Sequence, residues 1–295
     1  MEKGDAEDDW PTGGVTIQHV SRLLGIPLPT IRSWERRYGI PAPARTGGGH
    51  RRYDFDEAED LRMLRDEIGR GRRPADAAAM VRSRRASGST LARPFIDRFC
   101  DAAMHLDPAG MREILHAASV ELGVEQAVVE VGLAAMREVG ARWQAGLCDV
   151  GNEHLATEVM RAWLSRLEAF GPPPTSRDVT ILSCGPKDLH TVGLEAFGVL
   201  LSYAGMSCRV LGALMPVSSL VRAVHGTEAS KVVIVSQLAI ARQAAVRSLE
   251  AVSQLESVSL FYGGGAFLSL AARKGIPGTY LGEDLLAAVA LLRAA

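Results

Sequence analysis

The chain's cysteines, Cys100, Cys148, Cys184 and Cys208, are scattered, and no two stand in a C-x-x-C pair. A disulfide framework or a structural zinc site is therefore not expected, and a reducing, cytoplasmic setting fits. No apolar run reaches the roughly eighteen residues a transmembrane helix needs, so no membrane partner is expected. The start is acidic (Glu2, Asp5, Glu7, Asp8, Asp9) where a secretory leader would be basic and then apolar. No leader is read there, and residues 1–14 read as a disordered acidic tail. No internal repeat of solenoid length is found. Formal net charge is −1, so the chain as a whole does not attract polyanions and any nucleic-acid contact must come from a local patch.

Such a patch is present. Between Ile31 and Arg52 lie Arg32, Arg36, Arg37, Arg45, Arg51 and Arg52, opposed only by Glu35. Around it the composition divides into three blocks, which we read as domains. Residues 15–85 are Arg-rich with short apolar stretches. Residues 92–171 are rich in Ala, Leu, Val, Met and Glu at helical spacing. Residues 177–295 alternate β-branched runs with Gly-punctuated helical runs. The stretch 83–94 reads as a linker, and 171–176 (GPPPTS) as a boundary, because successive prolines cannot continue a helix.

In the first block Thr16 is placed to cap a helix in which Ile17, Val20, Leu23 and Leu24 recur at helical spacing, with Gly25 at its end. Pro29 opens a second helix that Gly39 closes. Helix, short turn, helix is the helix-turn-helix pattern. A Gly-rich turn between basic residues then suits a β-wing, and 56–68 reads as a third helix with an acidic first turn. The segments VTIQHVSRLLGIPLPTIRSWERRYG, GGGHRRYD and DEAEDLRMLRDEIGRG, in this order, resemble the MerR family of regulators. That resemblance implies a second helix lying in the major groove, where Arg32, Arg36 and Arg37 can pair with guanine and Tyr38 sits beside them. It also implies a wing in which His50, Arg51 and Arg52 contact the duplex, the arginines through phosphate oxygens. Trp34 reads better as a packing residue. The family's long dimerising coiled coil is missing here, so self-association would come from the later domains.

The third block reads as strand–helix alternation, which argues a parallel, doubly wound sheet. In such sheets a ligand lies beyond the carboxyl ends of the strands, near the point where strand order reverses. Lys187-Asp188-Leu189-His190 follows the first strand, Ser236-Gln237-Leu238 the third and Gly263-Gly264-Gly265 the fourth. In a flavodoxin-like order these ends lie side by side. A loop histidine can ligate a metal through neutral imidazole, and a nearby carboxylate can fix its ring. Gly193 allows close approach, and the glycines at 263–265 leave room for something bulky. A loop histidine alone, or three glycines alone, carries little meaning. Together, Asp188/His190/Gly193, Ser236/Leu238 and Gly263/Gly264 resemble the D-x-H-x-x-G, S-x-L and Gly-Gly pattern of cobalamin-binding domains. The resemblance implies that His190 is the lower axial ligand of cobalt and that the displaced nucleotide tail runs past Ser236 and the glycines.

The middle block reads as a bundle of four helices. Trp143 is followed by Glu153-His154, and this W-x9-E-H spacing resembles the cap of the CarH and LitR light-dependent regulators, whose domain order is the same. The likeness implies that Trp143 covers the upper face of a corrin and that Glu153 and His154 line the same pocket. Packing in the bundle core is the alternative for Trp143. The residue after this tryptophan, a histidine in the best-known pattern, is Gln144 here, and a carboxamide is a poor cobalt ligand.

The expected architecture is thus a MerR-like winged helix-turn-helix, a four-helix cap and a flavodoxin-like (Rossmann-like) cobalamin-binding domain. The expected function is a non-enzymatic transcriptional regulator and photoreceptor. It would bind promoter DNA as a homo-oligomer, a dimer or tetramer, and be switched by adenosylcobalamin. The alternatives are a MerR-type regulator that senses cobalamin level or another tetrapyrrole without photochemistry, and a corrinoid carrier.

Overall fold

The computed structural model describes residues 14–45, 51–53, 55–69, 71–87, 91–144 and 146–295. The acidic tail through residue 13 and His50 of the wing turn lie outside the described residues.

Helices α1 (Ile17–Leu24) and α2 (Leu28–Tyr38) form the helix-turn-helix. The Thr16 side chain accepts from the His19 N–H, and Gly25 and Gly39 cap the two C-termini. Strands β1 (Ala44–Arg45) and β2 (Arg51–Arg52) pair antiparallel as the wing, with Ala44 opposite Arg52. Helix α3 (Phe55–Gly69) closes a small core in which Val20, Ile31, Tyr53 and Leu61 are fully buried. Arg65 of α3 donates to the Leu24 carbonyl at 2.6 Å and thereby satisfies the end of α1. Helix α4 (Pro74–Ser87) runs into the segment read as a linker. Packing explains the extension: Ala77, Ala78 and Val81 bury against Leu64 and Ile40, and the Arg82 guanidinium reaches the Tyr38 carbonyl.

The middle block comprises α5 (Arg93–Met104), α6 (Pro108–Leu122), a third helix and α9 (Val150–Ala169). The third helix begins as α7 (Val124–Gln126), passes through a π-helical stretch, Ala127–Gly132, and continues as α8 (Leu133–Gln144). The stretch ends at a close helix–helix contact. A Cβ on Gly132 would stand 3.1 Å from both Met160 and Trp163, so the backbone itself abuts α9.

The last block is a sheet of β3 (Val179–Cys184), β4 (Ser207–Gly212), β5 (Lys231–Val235), β6 (Ser259–Gly263) and β7 (Thr279–Tyr280). All neighbours are parallel and the order is β4-β3-β5-β6-β7. Helices α10 (Val192–Tyr203) and α14 (Leu285–Ala294) cover one face, over Leu182, Val233 and Phe261. Helices α11 (Val217–Thr227) and α12 (Arg242–Val252) cover the other, over Ile181, Val232, Ile234 and Leu260; a short α13 (Leu270–Arg273) follows β6. Successive strand residues alternate between the two cores, as the pleat requires. The order reverses between β3 and β5, which fixes the switch point there.

Helix α10 joins the two larger bodies. Leu194, Phe197 and Leu201 face the sheet, while Ala196, Val199 and Leu200 belong to the bundle core. Among the described residues no helix is long and apolar enough to cross a membrane.

Candidate functional site

The loops after β3, β5 and β6 meet at the switch point, and Asp188 lies at the centre. Its side chain is fully buried. One carboxylate oxygen, Oδ1, accepts from the His190 backbone N–H at 3.0 Å and from His190 Nδ1 at 2.9 Å. The other, Oδ2, accepts from Ser236 Oγ at 3.1 Å and from the Gln237 N–H at 2.5 Å. Burial alone would raise the Asp188 carboxyl. The hydrogen bonds from His190, Gln237 and Ser236 outweigh it and hold the group below the ordinary carboxylate range. The Asp188 carbonyl takes the Leu214 N–H, which adds the loop after β4.

An ionised carboxylate only accepts, so His190 Nδ1 carries a proton toward Asp188, and Nε2 is the ring nitrogen left to face a ligand. The His190 side chain is 54 % exposed. The chain thus presents an imidazole held in orientation by Asp188, whose Nε2 bonds to no described residue, at the ligand end of the sheet. Burial pushes the Cys184 thiol beneath this loop up to about 12, and its Sγ lies 3.5 Å from the His190 carbonyl.

The glycines after β6 have a role the sequence did not show. Gly264 adopts φ +95°, and a Cβ there would lie 2.4 Å from the Ser236 carbonyl oxygen. A Cβ on Gly265 would lie 2.6 Å from that of Gln237. These two glycines let the loops after β5 and β6 touch backbone to backbone; the space beside them is filled by protein. Gly263, at the strand end, and Gly193, in the first turn of α10, meet nothing closer than 3.8 Å. Leu238 is exposed, as are Leu189, Leu214 and Ile240 on the neighbouring loops. Exposed apolar side chains thus stand on the loops that flank the imidazole.

The bundle reaches the same end of the molecule. Helices α9 and α10 run side by side in one direction: Arg161 pairs with Glu195 at 3.2 Å and Tyr203 Oη donates to the Leu167 carbonyl at 3.4 Å, offsets of 34 and 36 residues. At that offset Ala156–Glu158 stand beside the first turn of α10, so Glu153 and His154, about one turn earlier on α9, lie toward the end of the bundle from which the His190 loop enters α10. Trp143, in the last turn of α8, precedes the short connection into α9 and shares this end. Trp143 is 44 % exposed, so it is not bundle core. Glu153 accepts from Thr157 Oγ1 at 2.9 Å, the His154 side chain is largely exposed, and Gln144 is exposed beside Trp143. The turn that carries Trp143 is held by buried Glu138, which takes Arg142 at 2.6 Å and Arg93 at 3.4 Å. The Cys148 thiol is raised by burial and directed at the Val139 carbonyl.

At the other end of the chain, Arg32, Arg36 and Arg37 are exposed on α2. Tyr38 and Trp34 are partly buried against the Ile40–Leu64 cluster. Arg52 is half-buried on β2. Arg51 is paired: its Nε stands 2.9 Å from Glu35 Oε1 and 3.0 Å from Oε2. This pair ties wing to second helix. Glu35, the patch's one opposing acid, thus has a structural role.

An exposed arginine helix with a wing, joined through a bundle to a sheet whose switch point offers an oriented imidazole, defines a ligand-sensing DNA-binding regulator. The MerR HTH family regulatory protein model matches residues 15–84, and the B12 binding domain model matches residues 95–168. The second match falls on the helical block. The HTH-type transcriptional repressor CarH of Myxococcus xanthus is 30% identical over 223 residues, covering 70% of this chain and 74% of the relative. The repressor CarA of the same organism is 31% identical over 207 residues, covering 69% and 70%. The monomethylamine corrinoid protein of Methanosarcina barkeri, at 17% identity, superposes with a TM-score of 0.56 over 69% of this chain and 99% of its own. That likeness concerns the fold alone. The chain belongs to the CarH/CarA family of HTH-type transcriptional repressors.

Proposed function

We propose that this protein is a cobalamin-dependent transcriptional regulator in which adenosylcobalamin, bound between cap and sheet, sets the affinity of the winged helix for promoter DNA. One observation carries the reading: the buried Asp188 carboxylate orients His190 at the switch point, with Nε2 bonded to no described residue, beside the helix that the bundle and sheet share. The residues fit the group. A neutral imidazole is the donor a cobalt ion takes, and the exposed apolar side chains on the flanking loops suit a corrin edge.

In this reading, residues 15–85 read DNA, 92–171 form the cap and 177–295 hold the corrin. His190 is the lower ligand and Asp188 keeps its tautomer. Trp143, Glu153 and His154 line the upper side, while Gly193, Ser236, Leu238, Gly263 and Gly264 border the path of the nucleotide tail. When bound, adenosylcobalamin supplies a light-cleavable cobalt–carbon bond. The chain's own part is mechanical. Helix α10 is shared by both cores, so a ligand that holds cap against sheet biases their relative position and, through it, the oligomer that grips DNA. Arg32, Arg36 and Arg37 read the major groove with Tyr38 packed behind them, and Arg52 and Arg51 position the wing on phosphates; the same role is proposed for His50. The protein acts in the cytoplasm, on DNA, and catalyses no reaction.

Gln144 favours a second reading. A carboxamide beside Trp143 offers cobalt no strong upper ligand, which suits a regulator that reports cobalamin level, or binds another tetrapyrrole, without a light-driven ligand exchange. A corrinoid carrier is disfavoured, since a carrier has no use for an operator-reading helix. DNA affinity and particle size, measured with adenosylcobalamin in darkness and after green light, separate these. Tighter DNA binding in the dark that weakens on illumination supports the photoreceptor. Cofactor dependence without light dependence supports the second reading, and indifference to both overturns the sensor.

A further inference from the structure

Gln237, in the variable place between Ser236 and Leu238, ties two of the crevice loops together. Its backbone N–H donates to Asp188 Oδ2 at 2.5 Å. Its side-chain Oε1 accepts the Gly265 N–H at 3.0 Å. Its backbone carbonyl lies where a side chain on Gly265 would be. One residue thus locks the loop that carries Asp188 to the loop that follows β6.

The Gly265 contact also fixes which way the amide points. A backbone N–H needs an acceptor, so Oε1 must face Gly265 and Nε2 must face away. There Nε2 lies 3.8 Å from the position a Gly193 Cβ would occupy. No hydrogen bond from Nε2 to another described residue accompanies this, and the residue is only half-buried. Two N–H donors therefore stand at the mouth of the crevice, beside a glycine whose missing side chain leaves the approach open.

Building on the corrinoid reading above, we infer that Gln237 selects for the nucleotide tail. Its Nε2 donates to an acceptor oxygen of the tail's phosphodiester, while Oε1 and the backbone hold Gly265 and Asp188 in place. This makes Gln237 a specificity residue that acts on the tail and leaves the cobalt to His190. A donor that fits an oxygen-rich group discriminates against a ligand lacking that group, because the pairing is lost.

The test compares aquacobalamin with diaquacobinamide, a corrinoid without the nucleotide tail, by absorbance titration of the full chain. Gln237→Glu keeps an oxygen for Gly265, loses both donors and sets a negative charge toward the phosphate. Its affinity for aquacobalamin is expected to fall at least about tenfold while that for diaquacobinamide stays within about twofold. Gln237→Met, which loses donor and acceptor alike, is expected to lower the ratio of the two affinities in the same direction, and it carries the comparison should the Glu variant fail to fold. An unchanged ratio in the folded variant, whether both affinities fall together or neither moves, overturns the inference. Failure of the unaltered chain to bind either corrinoid would instead overturn the reading on which it rests.

Discussion

Asp188 and His190, two residues apart, face each other across a single short bond: Oδ1 of the buried carboxylate lies 2.9 Å from Nδ1 of the ring. Everything else at the switch point converges on the same carboxylate, which takes three more hydrogen bonds from His190, Ser236 and Gln237. Asp188→Asn keeps the shape but replaces an accepting oxygen with a donor, so it no longer fixes the tautomer. Corrinoid affinity is expected to fall about 10- to 100-fold, the usual cost of losing a ligand's supporting partner. Spectral titration measures it. An Asn variant that binds as the unaltered chain does would remove Asp188 from the site.

The close contact between the loops after β5 and β6 separates two adjacent glycines. Gly264→Ala forces a side chain into a left-handed backbone 2.4 Å from the Ser236 carbonyl, and is expected to destabilise the apo chain by about 2–4 kcal/mol. Gly263→Ala meets Leu281 at an ordinary 3.9 Å and is expected to cost less than about 1 kcal/mol. Urea unfolding of the two variants decides this, and equal destabilisation would contradict it.

Tyr53 gives a pH dependence in the DNA-binding block. Burial pushes its phenol up to about 12 from an ordinary 10, and its hydroxyl has no hydrogen-bond partner among the described residues. A raised folded-state value means the stabilisation is complete below pH 10 and is lost as pH rises through about 12. Tyr53→Phe should flatten this alkaline decline and leave stability at neutral pH unchanged or slightly higher, because no bond is lost. Thermal melts between pH 7 and 11 test it. An equal alkaline decline in the Phe variant would count against it.

On the DNA side, Arg36 on the second helix and Arg52 on the wing should behave differently. Arg36→Ala is expected to weaken operator binding by about 1–3 kcal/mol and to relax base preference where it reads a guanine. Arg52→Ala is expected to weaken all sequences alike and to lower the salt slope by about one. Glu35→Gln breaks the ion pair with Arg51 and is expected to leave base preference unchanged. Fluorescence anisotropy at several salt concentrations distinguishes the three. Identical salt slopes and base preferences would contradict the assignment.

Much of the architecture was legible because hydrophobic period and punctuation are local. Thr16, Gly25 and Gly39 mark the helices they cap, and β-branched runs mark β3, β5 and β6. The meeting of the Asp188, Ser236 and Gly264 loops followed from strand order alone. What was not legible depends on partners far away in sequence. The π-helical stretch at Ala127–Gly132 answers the bulk of Met160 and Trp163 on another helix. The extension of α4 depends on Leu64 and Ile40. Gly264 and Gly265 were read as space for a ligand because sequence does not reveal that the Ser236–Gln237 backbone occupies it. Gln237 and Glu35 left no signal, since each acts through a contact that only the folded chain creates. The parallel seating of α9 on α10 is likewise a tertiary fact.

The central claim concerns Nε2 of His190, and the most direct measurement is the absorption spectrum of diaquacobinamide, which brings no base of its own to cobalt, titrated with the unaltered chain and with His190→Ala. The account predicts that the unaltered chain shifts the corrin bands to those of an imidazole-ligated cobalt. The Ala variant should bind at least about tenfold more weakly and leave the spectrum that of the free corrinoid. A variant that binds as tightly, with the same shifted bands, would contradict it.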